Sequence, residues 1–230
     1  MPVDNIKVSV VVTCYNEEKN IGECLKSLVK QVYIGDYEIV IVDGNSQDRT
    51  QDIIKEFIKT HSNIRLIIEP KKGVAAGRNS GINNARYDYI AFTDADCGVP
   101  RDWLSLLTKN YQHMKSKYDN VIAIGGRNIV PENSGNFLKA IGIALDSYVG
   151  SFSSIQGRQL KEPTFVSSLS TANALYDKKK IIEIGYFDES LQSEAEDADL
   201  NFRLTSKGHK FLFIPDSFVW HKMRLGPLAW

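Results

Sequence analysis

Between Val8 and Thr93 the chain alternates strand-like and helix-like patterns without interruption, and this alternation limits the fold more than any other feature. Val8-Ser9-Val10-Val11-Val12-Thr13 is a β-branched run and reads as a buried strand. Ile21, Cys24, Leu25, Leu28 and Val32 follow at helical spacing. Glu38 to Val42 reads as a second strand, stopped by the turn cluster Asp43-Gly44-Asn45-Ser46. A helix with Ile53, Ile54, Phe57 and Ile58 on its apolar face comes next, with Ser46 or Asp48 able to cap it. Ile64 to Ile68 is a third strand. Gly73 to Ala85 is a helix with Val74, Ala75 and Ile82 inward, and Tyr89 to Thr93 is a fourth strand. Short connections of this kind imply right-handed βαβ units: an α/β, Rossmann-like fold with a mainly parallel sheet flanked by helices.

Parallel strands place their carboxyl ends on one rim, where ligands of open α/β sheets bind. Three strand ends carry polar groups there. The first ends in Thr13, Tyr15, Asn16 and Glu17, the second in Asp43 with Asp48 just beyond, and the fourth in Asp94 and Asp96. Asp-x-Asp alone is as well explained by an acidic turn. Recurrence on three strand ends favours a hard divalent cation, Mg²⁺ or Mn²⁺, holding a diphosphate. Tyr15 can stack on a base, and Asp43 can accept a hydrogen bond from a base N–H. Turn and cap roles are the alternative for Asp43 and Asp48.

Lys72-Gly73-Val74-Ala75-Ala76-Gly77-Arg78-Asn79 opens a helix but matches neither the P-loop nor the dinucleotide fingerprint. Lys72 and Arg78 could meet a diphosphate at that helix start, or be solvated surface charges. A second acidic concentration, Glu194-Ala195-Glu196-Asp197-Ala198-Asp199, opens a helix with Leu200 and Leu204 inward and Gly208 as its stop. One or two acids suit the helix dipole, whereas four repel one another. A carboxylate there could act as general base on an acceptor hydroxyl.

The chain of 230 residues has equal numbers of basic and acidic side chains, so no electrostatic footprint points to nucleic acid. Cys14, Cys24 and Cys97 lack metal-site spacing. Cys14 and Cys24 fall within apolar patterns and read as small core residues, and the cysteine usage implies a reducing, cytoplasmic compartment. The N-terminus lacks the pattern of a signal peptide, and no apolar run is long enough to span a bilayer. Further on, Trp103, Leu104, Leu106, Leu107 and Tyr111 predict a helix, and Val121 to Ile124 a strand. An amphipathic helix is expected around Phe137, Leu138, Ile141, Leu145 and Tyr148. Leu169 to Tyr176 reads as a strand and Lys178 to Ile184 as a helix. Phe211 to Ile214 and Phe218 to Trp220 read as two strands separated by a Pro215-Asp216 turn.

Several of these stretches together resemble glycosyltransferase family 2. They are Val10-Val11-Val12-Thr13-Cys14-Tyr15-Asn16-Glu17, Val42 to Thr50, Gly77 to Ile82 and Thr93-Asp94-Ala95-Asp96. Thr171 to Leu175, Ile184 to Glu189 and Glu196 to Leu204 continue the series in family order. The resemblance implies a GT-A fold, a nucleotide-diphosphate sugar donor (UDP favoured, GDP the alternative) and inverting transfer assisted by a divalent metal. By position, Thr13, Tyr15 and Asp43 would hold the base, with Asn16 and Glu17 beside them. Asp94 would hold ribose or metal, Asp96 would bind metal, and Asp197 would be the catalytic base. His221 sits where some members carry a metal-ligating histidine; a strand-end polar role is its alternative. The expected organisation is a single catalytic domain, with residues 1–97 holding the donor and 98–230 the acceptor and base.

The processive synthases' Gln-x-x-Arg-Trp motif does not follow the Glu-Asp pair, so a single transfer is expected. The ending Leu225 to Trp230 reads as an interrupted approach to a membrane, which suggests a glycan- or lipid-linked acceptor, polyprenyl-linked in the second case. A sugar nucleotidyltransferase and a non-catalytic nucleotide-sugar-binding module are the alternative functions. The acidic Tyr15-Asn16-Glu17-Glu18 loop has the wrong charge for the former, and intact Asp94, Asp96 and Asp197 argue against the latter.

Overall fold

A computed structural model describes residues 5–131, 135, 160–191 and 195–222. Its first half follows the predicted order: β1 (Val8–Cys14), α1 (Ile21–Leu28), β2 (Tyr37–Asp43), α2 (Thr50–Thr60), β3 (Ile64–Ile68), α3 (Val74–Asn84) and β4 (Tyr89–Asp94). The order β3-β2-β1-β4 is parallel throughout, so every crossover is a βαβ unit. β1 is buried on both faces: Val8, Val10 and Val12 enter the layer of α1, α2 and α4, and Val11 the layer of α3. Each buried Val or Ile contributes roughly 1.5–3 kcal/mol of transfer free energy, so β1 anchors both layers.

α3 is helical despite its glycines because closeness is what it needs. A Cβ on Gly81 would lie 2.3 Å from a Val11 methyl, and one on Gly77 would lie 3.0 Å from the Thr13 methyl. Its inward face is therefore Ala75, Ala76, Gly77 and Gly81 with Ile82, while Val74 is only half-buried. α1 stops at Leu28. Val32, expected inward, is 63% exposed, its N–H drawn to the Arg101 carbonyl at 2.7 Å.

The second half turns the sheet mixed. It comprises β5 (Cys97–Gly98), α4 (Trp103–Lys115), β6 (Val121–Ile129), β7 (Thr164–Val166), β8 (Ala174–Asp177), α5 (Lys178–Glu183), α6 (Glu196–Ser206) and β9 (Lys210–His221). The order continues β4-β8-β6-β9-β5, with β7 also on β9. β8 is antiparallel to both neighbours, and β6 is parallel to β9. The strand expected from Leu169 begins only at Ala174. The Ser170 hydroxyl accepts the Ala172 N–H and bends Thr171–Asn173 into a 3-10 turn.

Phe211 to Trp220 is one strand rather than two. Gly125 pairs with Phe213 and Arg127 with Phe218, so Pro215 and Asp216 form a bulge within β9. Gly126 makes this possible, because a Cβ there would stand 2.0 Å from the Ser217 carbonyl. Gly208, at φ 84°, ends α6 as expected. The amphipathic helix expected around Phe137 to Tyr148 lies outside the described residues.

Candidate active site

The parallel register brings the strand-end acids level. Thr13 lies beside Asp94 and Cys14 beside Asp43. The loops after β1 and β2 are then tied together. Asn16 N–H donates to Ser46 Oγ at 2.8 Å, Asn16 Oδ1 accepts Gln47 N–H, and Glu17 N–H donates to Thr50 Oγ1 at 2.7 Å. Asn16 and Asn45 take left-handed backbones (φ 53° and 63°), which Asn tolerates better than most residues.

Asp43 is fully buried, its oxygens accepting from Ser46 N–H, Ser46 Oγ, Gln51 Nε2 and Cys14 Sγ. Asp48 takes the turn role rather than the cap, which falls to Arg49: its Oδ1 accepts Thr50 N–H and hydroxyl, and its Oδ2 accepts Glu18 N–H. Tyr15 stands 56% exposed beside Gly44, a free aromatic face on the rim.

Past β4, Asp94, Asp96, Cys97 and His221 bring their ligand atoms within 4.8 Å of one another. β5 does this by pairing Cys97 with His221 on β9, and Asp96 O accepts Lys222 N–H. His221 Nε2 is 3.3 Å from Asp96 Oδ2. Burial pulls the imidazole down, but Asp96, then Asp94 and Glu17, outweigh it and hold His221 above its usual range. Cys97 is pushed well up, by burial first and the two aspartates second, so it stays a thiol. Two carboxylates and an imidazole form a donor set that fits Mn²⁺ or Mg²⁺; the protonated thiol adds nothing to a hard cation.

Of the two readings left open for Arg78, diphosphate contact and solvated surface charge, the structure excludes the second. The side chain is buried, whereas Lys72 is exposed. Close seating of Gly77 and Gly81 on β1 drops its guanidinium between Glu196, through Nη1, and Asp94, 3.3 Å from Nη2. The Phe187 ring lies 5.6 Å below. Burial opposes its charge, yet Asp94, Glu196 and Asp197 keep it firmly protonated. One residue on, Asn79 grips the Phe187 backbone through both its amide atoms and reaches Glu189 Oε1.

Arg78 therefore joins the Asp94–Asp96 strand end to the acidic start of α6, two motifs about a hundred residues apart in the chain. It also explains the crowded acids. Glu196 is taken by Arg78 and Asp199 by Arg203, at 2.6 Å. Glu194 lies outside the described residues. Asp197 is left half-buried, with the backbone N–H groups of Ala198 and Thr171 directed at it. Burial, aided by Glu196 and opposed by Arg78, raises its carboxyl above the usual aspartate range. Sequence alone does not separate Glu196 from its acidic neighbours. The available signal is that Arg78 and Arg203 must each find a carboxylate. Cys97 carries no motif signal at all.

All three thiols lie against this rim. Cys14 Sγ is 3.4 Å from Asp43 Oδ2, Cys24 Sγ 3.5 Å from the Asp94 carbonyl and Cys97 Sγ 3.8 Å from Asp96 Oδ1. Cys14 and Cys24 are core residues, as predicted.

Residues 9–185 match the family model described as "Glycosyl transferase family 2". Similar curated proteins include "Glycosyltransferase GlyA" of Streptococcus pneumoniae serotype 4, 30% identical over 100% of this chain and 32% of its own length. A Methanococcus voltae protein named dolichyl N-acetyl-alpha-D-glucosaminyl phosphate 3-beta-D-2,3-diacetamido-2,3-dideoxy-beta-D-glucuronosyltransferase is 31% identical over 91% of this chain and 64% of its own. The chain thus spans from about a third to just under two thirds of these relatives.

Among solved structures, the Pyrobaculum calidifontis mannosyltransferase PcManGT with GDP-Man and Mn²⁺ superposes with TM-score 0.73. It is 22% identical, over 100% of this chain and 61% of its own. GalNAc-T7 with UDP, GalNAc and Mn²⁺ gives TM-score 0.73 at 20% identity, covering 96% of this chain and 45% of its own. The architecture shared with these structures is the GT-A fold. With the family match running from β1 through α5, the chain belongs to glycosyltransferase family 2.

Proposed function

We propose that this chain is the catalytic part of an inverting, divalent-metal-dependent glycosyltransferase. It moves one sugar from a nucleotide-diphosphate sugar, UDP-linked by preference and GDP-linked as the alternative, to a hydroxyl of a glycan- or lipid-linked acceptor. Residues 1–97 hold the donor, and 98–230 the acceptor and the base. The observation that carries this reading is the Arg78 bridge, which holds a cation-ready cluster and a raised-pKa carboxylate in one site. The relatives named glycosyltransferases, and the neighbours that bind GDP-Man or UDP with Mn²⁺, support it.

Tyr15 stacks on the base, with Thr13, Asn16 and Glu17 around it and the buried Asp43 set beneath them by its bonds to Ser46 and Gln51. Asp94, Asp96 and His221 would hold the metal, which when bound supplies Lewis-acid stabilisation of the leaving diphosphate. The Asp197 carboxylate takes the proton of the acceptor hydroxyl as its oxygen attacks the anomeric carbon. The bond to the diphosphate breaks, a glycosidic bond of opposite configuration forms, and nucleoside diphosphate leaves. A raised pKa makes Asp197 a stronger base for this step. Arg78 positions Asp94 and, through Glu196, the start of α6.

Calorimetry with UDP and GDP, with and without Mn²⁺, tests the donor site: metal-independent binding would count against it. A screen of nucleotide sugars for transfer or hydrolysis then names the donor, and product length separates single transfer from polymerisation. Pyrophosphate release from UTP and a sugar phosphate would instead identify a nucleotidyltransferase. Among the described residues no helix is long and apolar enough to cross a membrane, so lipid-linked acceptors are tested by adding them rather than by locating the chain.

A further inference from the structure

Cys97 stands where the acidic rim meets the hydrophobic core. Its side chain is 2% exposed and packs in the layer of α1, α2 and α4. Its sulfur nevertheless forms one cluster with the ligand atoms of Asp94, Asp96 and His221, all within 4.8 Å of one another. Packing alone asks only for a small apolar group at this position, and a hard cation makes no use of sulfur. What the thiol adds to the two carboxylates and the imidazole is affinity for a cation that prefers sulfur.

The backbone brings the four donors together. β4 ends on Asp94, the turn beyond it carries Asp96, and β5 pairs Cys97 with His221 on β9. Cys97 Sγ lies 3.8 Å from Asp96 Oδ1, and His221 Nε2 lies 3.3 Å from Asp96 Oδ2. A tetrahedral zinc shell, with Zn–S near 2.3 Å and Zn–N or Zn–O near 2.0–2.2 Å, has ligand–ligand edges of about 3.3–3.7 Å. The donors are thus spaced close to that shell already. The Asp94 and His221 side chains are 29% and 27% exposed, so they form the entrance and Cys97 the floor.

We propose that this pocket also takes Zn²⁺, held by Asp94, Asp96, Cys97 and His221 together, and that zinc bound in this way switches transfer off. Binding forms a zinc–sulfur bond and releases the Cys97 thiol proton to solvent, with no change of oxidation state. Four protein donors close the tetrahedral shell, whereas a cation that serves the reaction keeps positions open for the donor diphosphate. The general order of divalent affinities already places Zn²⁺ above Mn²⁺, and a sulfur ligand widens the gap. The inhibition rests on the glycosyltransferase reading; the coordination does not.

Co²⁺ is the spectroscopic probe. Added to the metal-free chain, it should give a near-ultraviolet thiolate-to-cobalt charge-transfer band that stoichiometric Zn²⁺ abolishes. The band should vanish in Cys97→Ser and persist in Cys14→Ser and Cys24→Ser. Cys97→Ser should weaken Zn²⁺ by at least the about 10–100-fold that loss of an outer-shell partner costs, while Mn²⁺ affinity, followed by electron paramagnetic resonance, is unchanged. X-ray absorption of the zinc-loaded wild-type chain counts sulfur ligands without any variant, and one is expected. By calorimetry, Zn²⁺ should suppress UDP binding to the Mn²⁺-loaded chain.

A zinc shell without sulfur, or a cobalt band that survives Cys97→Ser, overturns this inference and leaves the donor reading intact where Mn²⁺ and UDP still bind. UDP binding undiminished by sulfur-ligated zinc overturns the switch. Failure of Mn²⁺ and UDP to bind at all overturns the donor reading and the switch with it.

Discussion

The two rims of the parallel sheet carry two arginine–carboxylate clusters that solve opposite problems. At the amino-terminal rim, Glu38 is 3% exposed and outnumbered by donors. Ser9 Oγ and Arg86 N–H reach Oε1 at 2.7 Å, and Arg65 Nε reaches Oε2 at 2.9 Å. Burial opposes its charge, but those hydrogen bonds prevail and hold its carboxyl below the usual glutamate range. At the carboxyl-terminal rim the proportions reverse. Arg78 is one guanidinium among Asp94, Glu196 and Asp197, with Asp96 and His221 beyond. The first cluster closes its own charge balance. The second keeps surplus negative charge in a half-buried place, which stability alone does not favour but a divalent cation satisfies.

Asp197→Asn tests the contrast most severely. Transfer should fall about 10²–10⁴-fold, while calorimetric affinity for UDP and Mn²⁺ is retained. Thermal unfolding should show no loss of stability. A carboxyl whose folded pKa is raised opposes folding at neutral pH, and that opposition fades as pH falls from the folded value to the ordinary aspartate one. A large drop in melting temperature would make Asp197 a structural residue.

Arg78→Met comes next. Removing the shared cation strands Glu196 and Asp94, and urea denaturation should show a loss of about 3–5 kcal/mol. Adding Glu196→Gln to that variant should recover part of it. Additive losses in the double-mutant cycle would mean that the two side chains do not act as a unit.

Glu38→Gln should cost about 1–3 kcal/mol by the same measurement and leave nucleotide affinity and transfer untouched. Because the folded pKa is lowered, the stabilisation by Glu38 is complete above the ordinary glutamate value and disappears as pH falls through the folded one. The variant should therefore show a flatter acid limb of stability against pH. The smallest effect is in the rate profile of the wild-type chain. Transfer should rise with pH through an apparent pKa above the ordinary aspartate range, reporting Asp197, and a limb at the ordinary value would remove it as the base.

The first half of this fold was readable because its signals are local. β-branched runs, helical spacing and turn clusters each declare themselves within ten residues, and parallel register then aligns Thr13, Asp43 and Asp94 automatically. What was not readable depends on contacts between distant segments. Arg78 looks like a surface charge until α3 is seated on Val11 and Thr13. The break suggested by Pro215-Asp216 becomes a bulge because Gly126, far away in the chain, leaves space for it. The strand expected at Leu169 is shortened by a single hydroxyl, that of Ser170. The acidic start of α6 suggested chemistry, yet only the pairing of Glu196 and Asp199 with arginines distinguishes Asp197.

The three cysteines give this rim reporters that require no engineering. Each is buried against one of its acids, and burial raises each thiol pKa, so the thiolate that alkylating reagents attack is scarce while the rim is shut. Labelling must wait for the strand ends to part, and its rate counts those openings. A nucleotide and cation that clamp the loops together would slow the modification of Cys14 and Cys97 in step. Mass spectrometry of the unmodified chain could thus time the breathing of the site before its donor or acceptor is known.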